Sequence, residues 1–184
     1  MVQKQELQTV EKQAIAKYAA SLIEPDDCVY LDAGTTTGWM IEYIREEKAT
    51  YVTNALSHAK RLADKGFCVI LIGGEPKSST DAIVGAEAVL NLQKYHFSKG
   101  FFGVNGVDRT SGFTTPDARE AMVKQVAVKN TQPAHRYFLT TASKFGEVYA
   151  VTFAGFESGV ILTEDNVSEV LPKSIEVVKV NEQN

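Results

Sequence analysis

Cysteine, histidine and tryptophan are scarce here: two, three and one in 184 residues. Neither Cys28 nor Cys68 has another Cys or a His at metal-ligand spacing, which excludes a zinc module. Both open apolar, strand-like runs, so they read as reduced core residues rather than a disulfide. His58, His96 and His135 lie far apart without a supporting motif, and each reads as a surface or core residue rather than a catalytic one. No apolar run approaches the ~20 residues that a membrane span needs. The polar start "MVQKQELQTVEKQ" is neither a secretory signal nor a transit peptide. A cytoplasmic location without a membrane partner is the expectation. A basic surplus is missing too. With a net charge of −4 and no Lys/Arg cluster, this chain has little with which to neutralise a duplex backbone.

What is present is an alternation. Apolar residues from Leu7 to Ile23 fall at helical spacing, and Pro25 with Asp26–Asp27 ends that helix. Then "CVYL", "YVTN", "CVILI", "KGFFGV", "RYFLTT", "GVILT" and "IEVVKV" read as strands. Helices are predicted over Gly38–Arg45, Leu56–Lys65, Gly85–Lys94 and Asp117–Asn130, while "EVYAVTFAG" fits neither pattern. Strands separated by helices of about ten residues make βαβ units. The predicted class is α/β, a mainly parallel sheet with helices on both faces. Residues 1–184 read as one domain, with no internal linker or repeat.

In such sheets ligands bind beyond the carboxyl ends of the strands. The first strand is followed by Asp32, Gly34, Thr35, Thr36 and Thr37, and the second by Thr53 and Asn54. Gly73 and Gly74 follow the third, and Asn105, Gly106 and Asp108 the fourth. Thr140, Thr141, Ser143 and Lys144 follow the fifth. Loops that only turn the chain favour Gly, Pro, Asn and Asp, but not so many hydroxyls. In "DAGTTTG", Gly34 permits close backbone approach, and a helix starting near Gly38 aims its free N–H groups at the same spot. The stretch is neither a P-loop, since the lysine is missing, nor G-x-G-x-x-G. A glycine turn with an N-cap threonine would account for it alone. The companion loops favour a phosphate or carboxylate site. Lys77, Lys124 and Lys144 supply cations, and Glu120 shares a helix face with Lys124 at i, i+4. An exposed ion pair is the plain alternative for those two. Their helix, however, follows "GFTTP" directly, which turns its first residues to the crevice. No cofactor, metal or catalytic residue is expected.

The motifs "KQAIAKYAASLIEPDDCVYLDAGTTT", "VTNAL", "LIGGEPKSSTDAIVG", "FFGVNGVDRTSGFTTPDAREAMVKQ" and "SKFG" occur in this order. From Lys12 to Glu164 the chain resembles the effector domain of the DeoR family of bacterial sugar-operon repressors. Within that family it looks most like the fructose operon repressors of Gram-positive bacteria. The resemblance implies a fold akin to ribose-5-phosphate isomerase and CoA transferases, with a sugar-phosphate inducer in the strand-end crevice. It implies that Asp32, Gly34, Thr35 and Thr36 form the first binding loop, and that Thr53, Asn54, Gly73 and Gly74 line the next two. Lys77, Glu120, Lys124 and Lys144 stand where the family carries the same or similar residues. It further implies fructose 1-phosphate as inducer, a homo-oligomer (dimer or tetramer) and operator contact only through an N-terminal helix-turn-helix module. Nothing in this chain corresponds to that module, so the expectation is an excised effector domain with residues 1–12 as the linker helix. Two positions depart from the family: Asn105–Gly106 where many relatives read Asp–Gly, and Thr141, Ala142, Ser143, Lys144 where many read Asp–Ser–Ser–Lys. An isomerase on the same fold is the rival class, with Glu120 as base and Lys124 or Lys144 as electrostatic partner. Asn105 weakens that rival, because an amide transfers no proton at neutral pH.

Overall fold

The computed structural model describes residues 2–165 and 176–180, with side chains from Gln8 onward. Met1 of the expected linker helix and Ile175 of the expected last strand lie outside the described residues. Among the described residues no helix is long and apolar enough to cross a membrane.

The fold is α/β. Helix α1 (Val2–Ser21) precedes strand β1 (Cys28–Leu31), helix α2 (Thr35–Tyr43), β2 (Thr50–Thr53), α3 (Leu56–Asp64) and β3 (Cys68–Leu71). A short antiparallel pair, β4 (Glu75–Pro76) and β5 (Ile83–Val84), leads to α4 (Ala86–Leu92) and β6 (Lys99–Gly103). Next come β7 (Gly106–Asp108), β8 (Gly112–Thr115), α5 (Ala118–Lys129), β9 (Arg136–Leu139), β10 (Val151–Ala154), β11 (Val160–Thr163) and β12 (Val177–Lys179). Seven strands form one parallel sheet in the order β12-β11-β9-β6-β1-β2-β3.

That order sets where a ligand can sit. The chain runs outward from β1 through β2 to β3, then crosses back to lay β6 on the other side of β1. Between β1 and β6 the connections diverge to opposite sides, which opens a crevice at the carboxyl end of the sheet. The central strands are covered on both faces, so they read as unbroken apolar runs. Val29, Leu31, Tyr51 and Phe101 pack under α1, α2 and α3. Tyr30, Val52, Phe102 and Phe138 pack under α4 and α5.

Two sequence expectations need correction. The unassigned "EVYAVTFAG" contains β10, which pairs antiparallel with β8, and β8 pairs with β7, so the stretch expected as the loop after the fourth predicted strand belongs to a three-stranded layer. Phe113 and Phe153 of that layer fill the core over Phe138. Cys68 is exposed rather than core, because β3 is the edge of the sheet and nothing covers its far side among the described residues, whereas Cys28 is half-buried and packs against the core.

Gly159, just before β11, has no room for a side chain. A Cβ there would overlap the carbonyl oxygen of Arg136 and crowd the Phe138 ring. Gly159→Ala is expected to push β11 off β9 and cost about 1–3 kcal/mol, measured as a lower urea midpoint with an unchanged slope.

Candidate functional site

The third threonine of the opening motif is structural. Thr37 Oγ1 donates to the carbonyls of Asp32 (2.6 Å) and Gly34 (3.0 Å), which ties the start of α2 to the end of β1. The helix begins at Thr35, earlier than the expected Gly38, so all three threonines lie in its first turn. No side chain caps it: the N-cap residue is Gly34. Helices α3 and α5 differ. Asp117 caps α5 through the Arg119 and Glu120 N–H groups, and Asp81 accepts from the Ser57 N–H at the start of α3. The unpaired N–H groups of α2, with the exposed Thr35 and the buried Thr36 beside them, therefore remain available to an anion.

They border a crevice of about 740 Å³. Of the expected site residues, Gly34, Thr35, Thr36, Asn105, Glu120, Lys124 and Lys144 line it. Asp32, Thr53 and Asn54 are buried behind its wall. Thr53 Oγ1 donates to the Leu31 carbonyl (2.7 Å), and Asn54 accepts from Tyr30 Oη (3.1 Å) and the Ala33 N–H (3.0 Å). These two residues hold the first loop in place rather than facing the crevice. Gly73 and Gly74 turn the chain after β3; at Gly74 φ is +142°, and a Cβ would press on Ile83 and the Val84 carbonyl. Gly106 lies within β7, directly under the Glu147 carbonyl. Lys77 is engaged by Asp117 (2.9 Å) and Glu120 (2.8 Å), away from the crevice lining.

Asp32 and Lys124 form a buried ion pair at the floor of the crevice, with Lys124 on its lining and Asp32 behind it. Asp32 also accepts the Gly103 N–H (3.0 Å), and the Lys124 ammonium donates to the Gly103 carbonyl (3.0 Å) and sits over the Phe153 ring. Burial pushes the Asp32 carboxyl above the usual range, and the neighbouring Lys124 only partly offsets that. Glu120 Oε1 accepts from both Lys77 and Thr80 (2.7 Å), which draws the β4–β5 connection against α5. Asn105 accepts from Thr115 Oγ1 (3.1 Å).

Sequence reasoning missed Lys12, Ser57, His58, Arg61, Ser79 and Thr80, all of which line the crevice. For Ser57, His58 and Arg61 there was a signal. They occupy the first turns of α3, directly after a strand end, by the same logic that singled out α5. Lys12 and Lys144 face the same cavity; burial, and next the Lys144 charge, pull the Lys12 ammonium below its ordinary value, with Glu11 acting in the other direction. Among the described residues neither lysine is in an ion pair within 4.0 Å.

Known structures match this architecture. Ribose 5-phosphate isomerase A from Methanocaldococcus jannaschii superimposes with a TM-score of 0.52 at 17% identity, covering 73% of this chain and 53% of that one. The Pyrococcus horikoshii translation initiation factor eIF-2B gives 0.55 at 16%, covering 81% and 52%. At such identities the likeness is one of fold alone. Sequence relatives are regulators rather than enzymes. The uncharacterized HTH-type transcriptional regulator FruR of Bacillus subtilis (strain 168) is 43% identical over 166 residues, which cover 90% of this chain and 65% of that protein. The lactose phosphotransferase system repressor of Staphylococcus aureus (strain NCTC 8325 / PS 47) is 38% identical over 143 residues, 76% of this chain and 56% of that one. The chain thus spans between about half and two thirds of the length of these relatives. The DeoR C terminal sensor domain matches residues 7–166, and the chain belongs to that family.

Proposed function

We propose that this domain senses a phosphorylated sugar on behalf of a sugar-operon repressor, with fructose 1-phosphate as inducer. The observation that carries the reading is the uncapped start of α2, opening into a crevice that Lys12 and Lys144 also line. A phosphoryl group there accepts hydrogen bonds from the Thr35 and Thr36 region and relieves the repulsion between the two ammonium groups. Asn105, exposed at the end of β6, offers both a donor and an acceptor to sugar hydroxyls without adding a carboxylate beside the phosphate. The resemblance of the motifs to fructose operon repressors supports the fructose assignment, with fructose 1,6-bisphosphate and tagatose 6-phosphate as the nearest competitors. Operator DNA is contacted by a helix-turn-helix module outside this chain, and the repressor works as a homo-oligomer.

The isomerase reading finds less support. Asn105 cannot act as an acid or base, and the Glu120 oxygen nearest its partners is already engaged by Lys77 and Thr80. Incubation with pentose and hexose phosphates is expected to yield no isomerised product; turnover that disappears in Glu120→Gln would restore the enzyme. A thermal-shift panel tests the sensor reading. At 100 times its dissociation constant a sugar phosphate adds about 2.7 kcal/mol of stability, whereas free fructose leaves the melting temperature unchanged. Equal shifts by fructose and its phosphates would defeat the anion argument.

A further inference from the structure

One crevice residue stands apart from the threonines and lysines around it. His58 is 4% exposed, and its Nδ1 is the buried side-chain nitrogen without a hydrogen-bond partner among the described residues. A buried polar atom left unpaired costs free energy, so it marks strain, a bound water or a ligand. The place of the ring favours a ligand, because its other nitrogen, Nε2, adjoins α2. Gly38, in α2, is the reason α3 comes so close: a Cβ at Gly38 would lie 3.0 Å from His58 Nε2 and 3.4 Å from Arg61 Nη1. The bare glycine thus brings the imidazole and the guanidinium against the uncapped first turns of α2, where all three residues line the same crevice.

The charged surroundings of His58 are mixed. Arg61, on its own helix, pairs with Glu42 (2.8 Å), which Lys65 also reaches (3.1 Å). Asp81 faces it from the β4–β5 connection, Gly34 presents backbone from the α2 side, and Lys12 borders the same cavity from α1. Burial, and next the Arg61 charge, push the imidazole down to about 4, while Asp81 and the Gly34 backbone work the other way. Without a ligand the ring is neutral at pH 7. An anion at the start of α2 changes that balance, because an opposite charge nearby favours the imidazolium.

Building on the functional reading above, we propose that His58 takes up a proton from solvent as the phosphoryl dianion of a sugar phosphate settles at the start of α2. His58 and Arg61 then form a proton-linked wall that selects dianionic phosphate monoesters. With the proton taken up, both ring nitrogens carry an N–H, and it is Nε2, the nitrogen beside Gly38, that adjoins the start of α2 as a charge-assisted donor. The signature is linkage: affinity falls as pH rises through the bound-state value of the ring, by at most about tenfold per unit.

The test is calorimetric titration of the whole 184-residue chain. The probe is the tightest binder among fructose 1-phosphate, fructose 1,6-bisphosphate and tagatose 6-phosphate. Titrations run from pH 6.5 to 8.5 in buffers of differing ionisation enthalpy, where the phosphate monoester is already largely a dianion (second pKa about 6). The expected result is net proton uptake on binding in the wild type and its loss in His58→Gln. Equal uptake in the variant assigns the proton elsewhere, Lys12 included, and overturns the proposal. Should His58→Gln fail to fold, nitrogen NMR of the wild-type ring replaces it, with a neutral-to-imidazolium shift expected on adding the sugar phosphate. A ring that stays neutral in the complex overturns the proposal alone. If no sugar phosphate of the panel binds, the functional reading falls and takes this proposal with it.

Discussion

Lys124→Met is expected to lower the stability of the domain by about 3–5 kcal/mol, the usual consequence of stripping one partner from a buried ion pair. For a domain of this size that is a fall in melting temperature of roughly 6–20 °C. The reason is Asp32, buried beneath the crevice with Lys124 as its ion-pair partner. Methionine fills the space of the lysine stem but leaves the carboxylate facing only the Gly103 N–H. The deficit depends on pH with a definite sign. Burial already raises the Asp32 carboxyl in the folded state, so the native state holds that proton more tightly than the unfolded chain does. Stability from the bound proton is therefore present at low pH and is lost as pH rises through the folded value. Without Lys124 the folded value climbs further. The gap between wild type and variant should accordingly shrink as the solution is acidified. Asp32→Asn in the same chain removes the stranded charge while keeping an acceptor for Gly103, and the double variant is expected to regain part of the loss. Melting curves of the four proteins between pH 5 and pH 8 check this. A double variant as unstable as Lys124→Met, or a deficit that widens in acid, would mean that the pair is not what holds this floor together.

Lys12→Met and Lys144→Met are each expected to weaken fructose 1-phosphate binding by roughly 10- to 150-fold, corresponding to the ~1.5–3 kcal/mol of a hydrogen bond to a charged group. The effects should not add. The two ammonium groups repel one another, which is part of why the Lys12 ammonium sits below its ordinary value. Removing one relieves the other, so the double variant is expected to lose less than the sum of the single losses. Titrations at fixed ionic strength keep screening constant between proteins. Free fructose, which carries no phosphate, should be indifferent to both substitutions. Wild-type affinity in both variants would move the phosphate away from this side of the crevice.

The parallel sheet is legible in the sequence because its central strands are buried on both faces. Runs such as "CVYL" and "KGFFGV" have no polar side to confuse with a helix. The antiparallel layer was not legible. Strand β7 is Gly106–Asp108, three residues opening on a glycine, and such a stretch carries the composition of a turn. Its strand character comes from pairing with β8 and from the close passage of the Glu147 backbone, both long-range facts. Cys68 misled for a related reason. An apolar run predicts burial only if the strand has neighbours on both sides, and β3 stands at the edge.

At the site, local pattern and packing divide the labour. Gly34, Thr35 and Thr36 were marked by a glycine and hydroxyls at a strand end, and they do line the crevice. Asn54 carried the same mark and lies behind the wall, because its amide is taken up by Tyr30, Ala33 and Ile83. No periodicity distinguishes an amide that holds a loop from one that meets a ligand. His58 carried only the signal of its place after a strand end, and its closeness to α2 shows only when Gly38 of that helix is set against it.

The central claim is that a phosphoryl group docks on the uncapped start of α2, and amide NMR of the full chain tests it most directly. On titration with fructose 1-phosphate the largest shifts should fall on the backbone N–H groups of Thr35, Thr36 and Thr37, saturating together with those of the crevice residues around Asn105 and Lys144. Free fructose should leave these amides unmoved. Saturable shifts that leave Thr35–Thr37 unchanged and gather elsewhere on the domain would contradict the account.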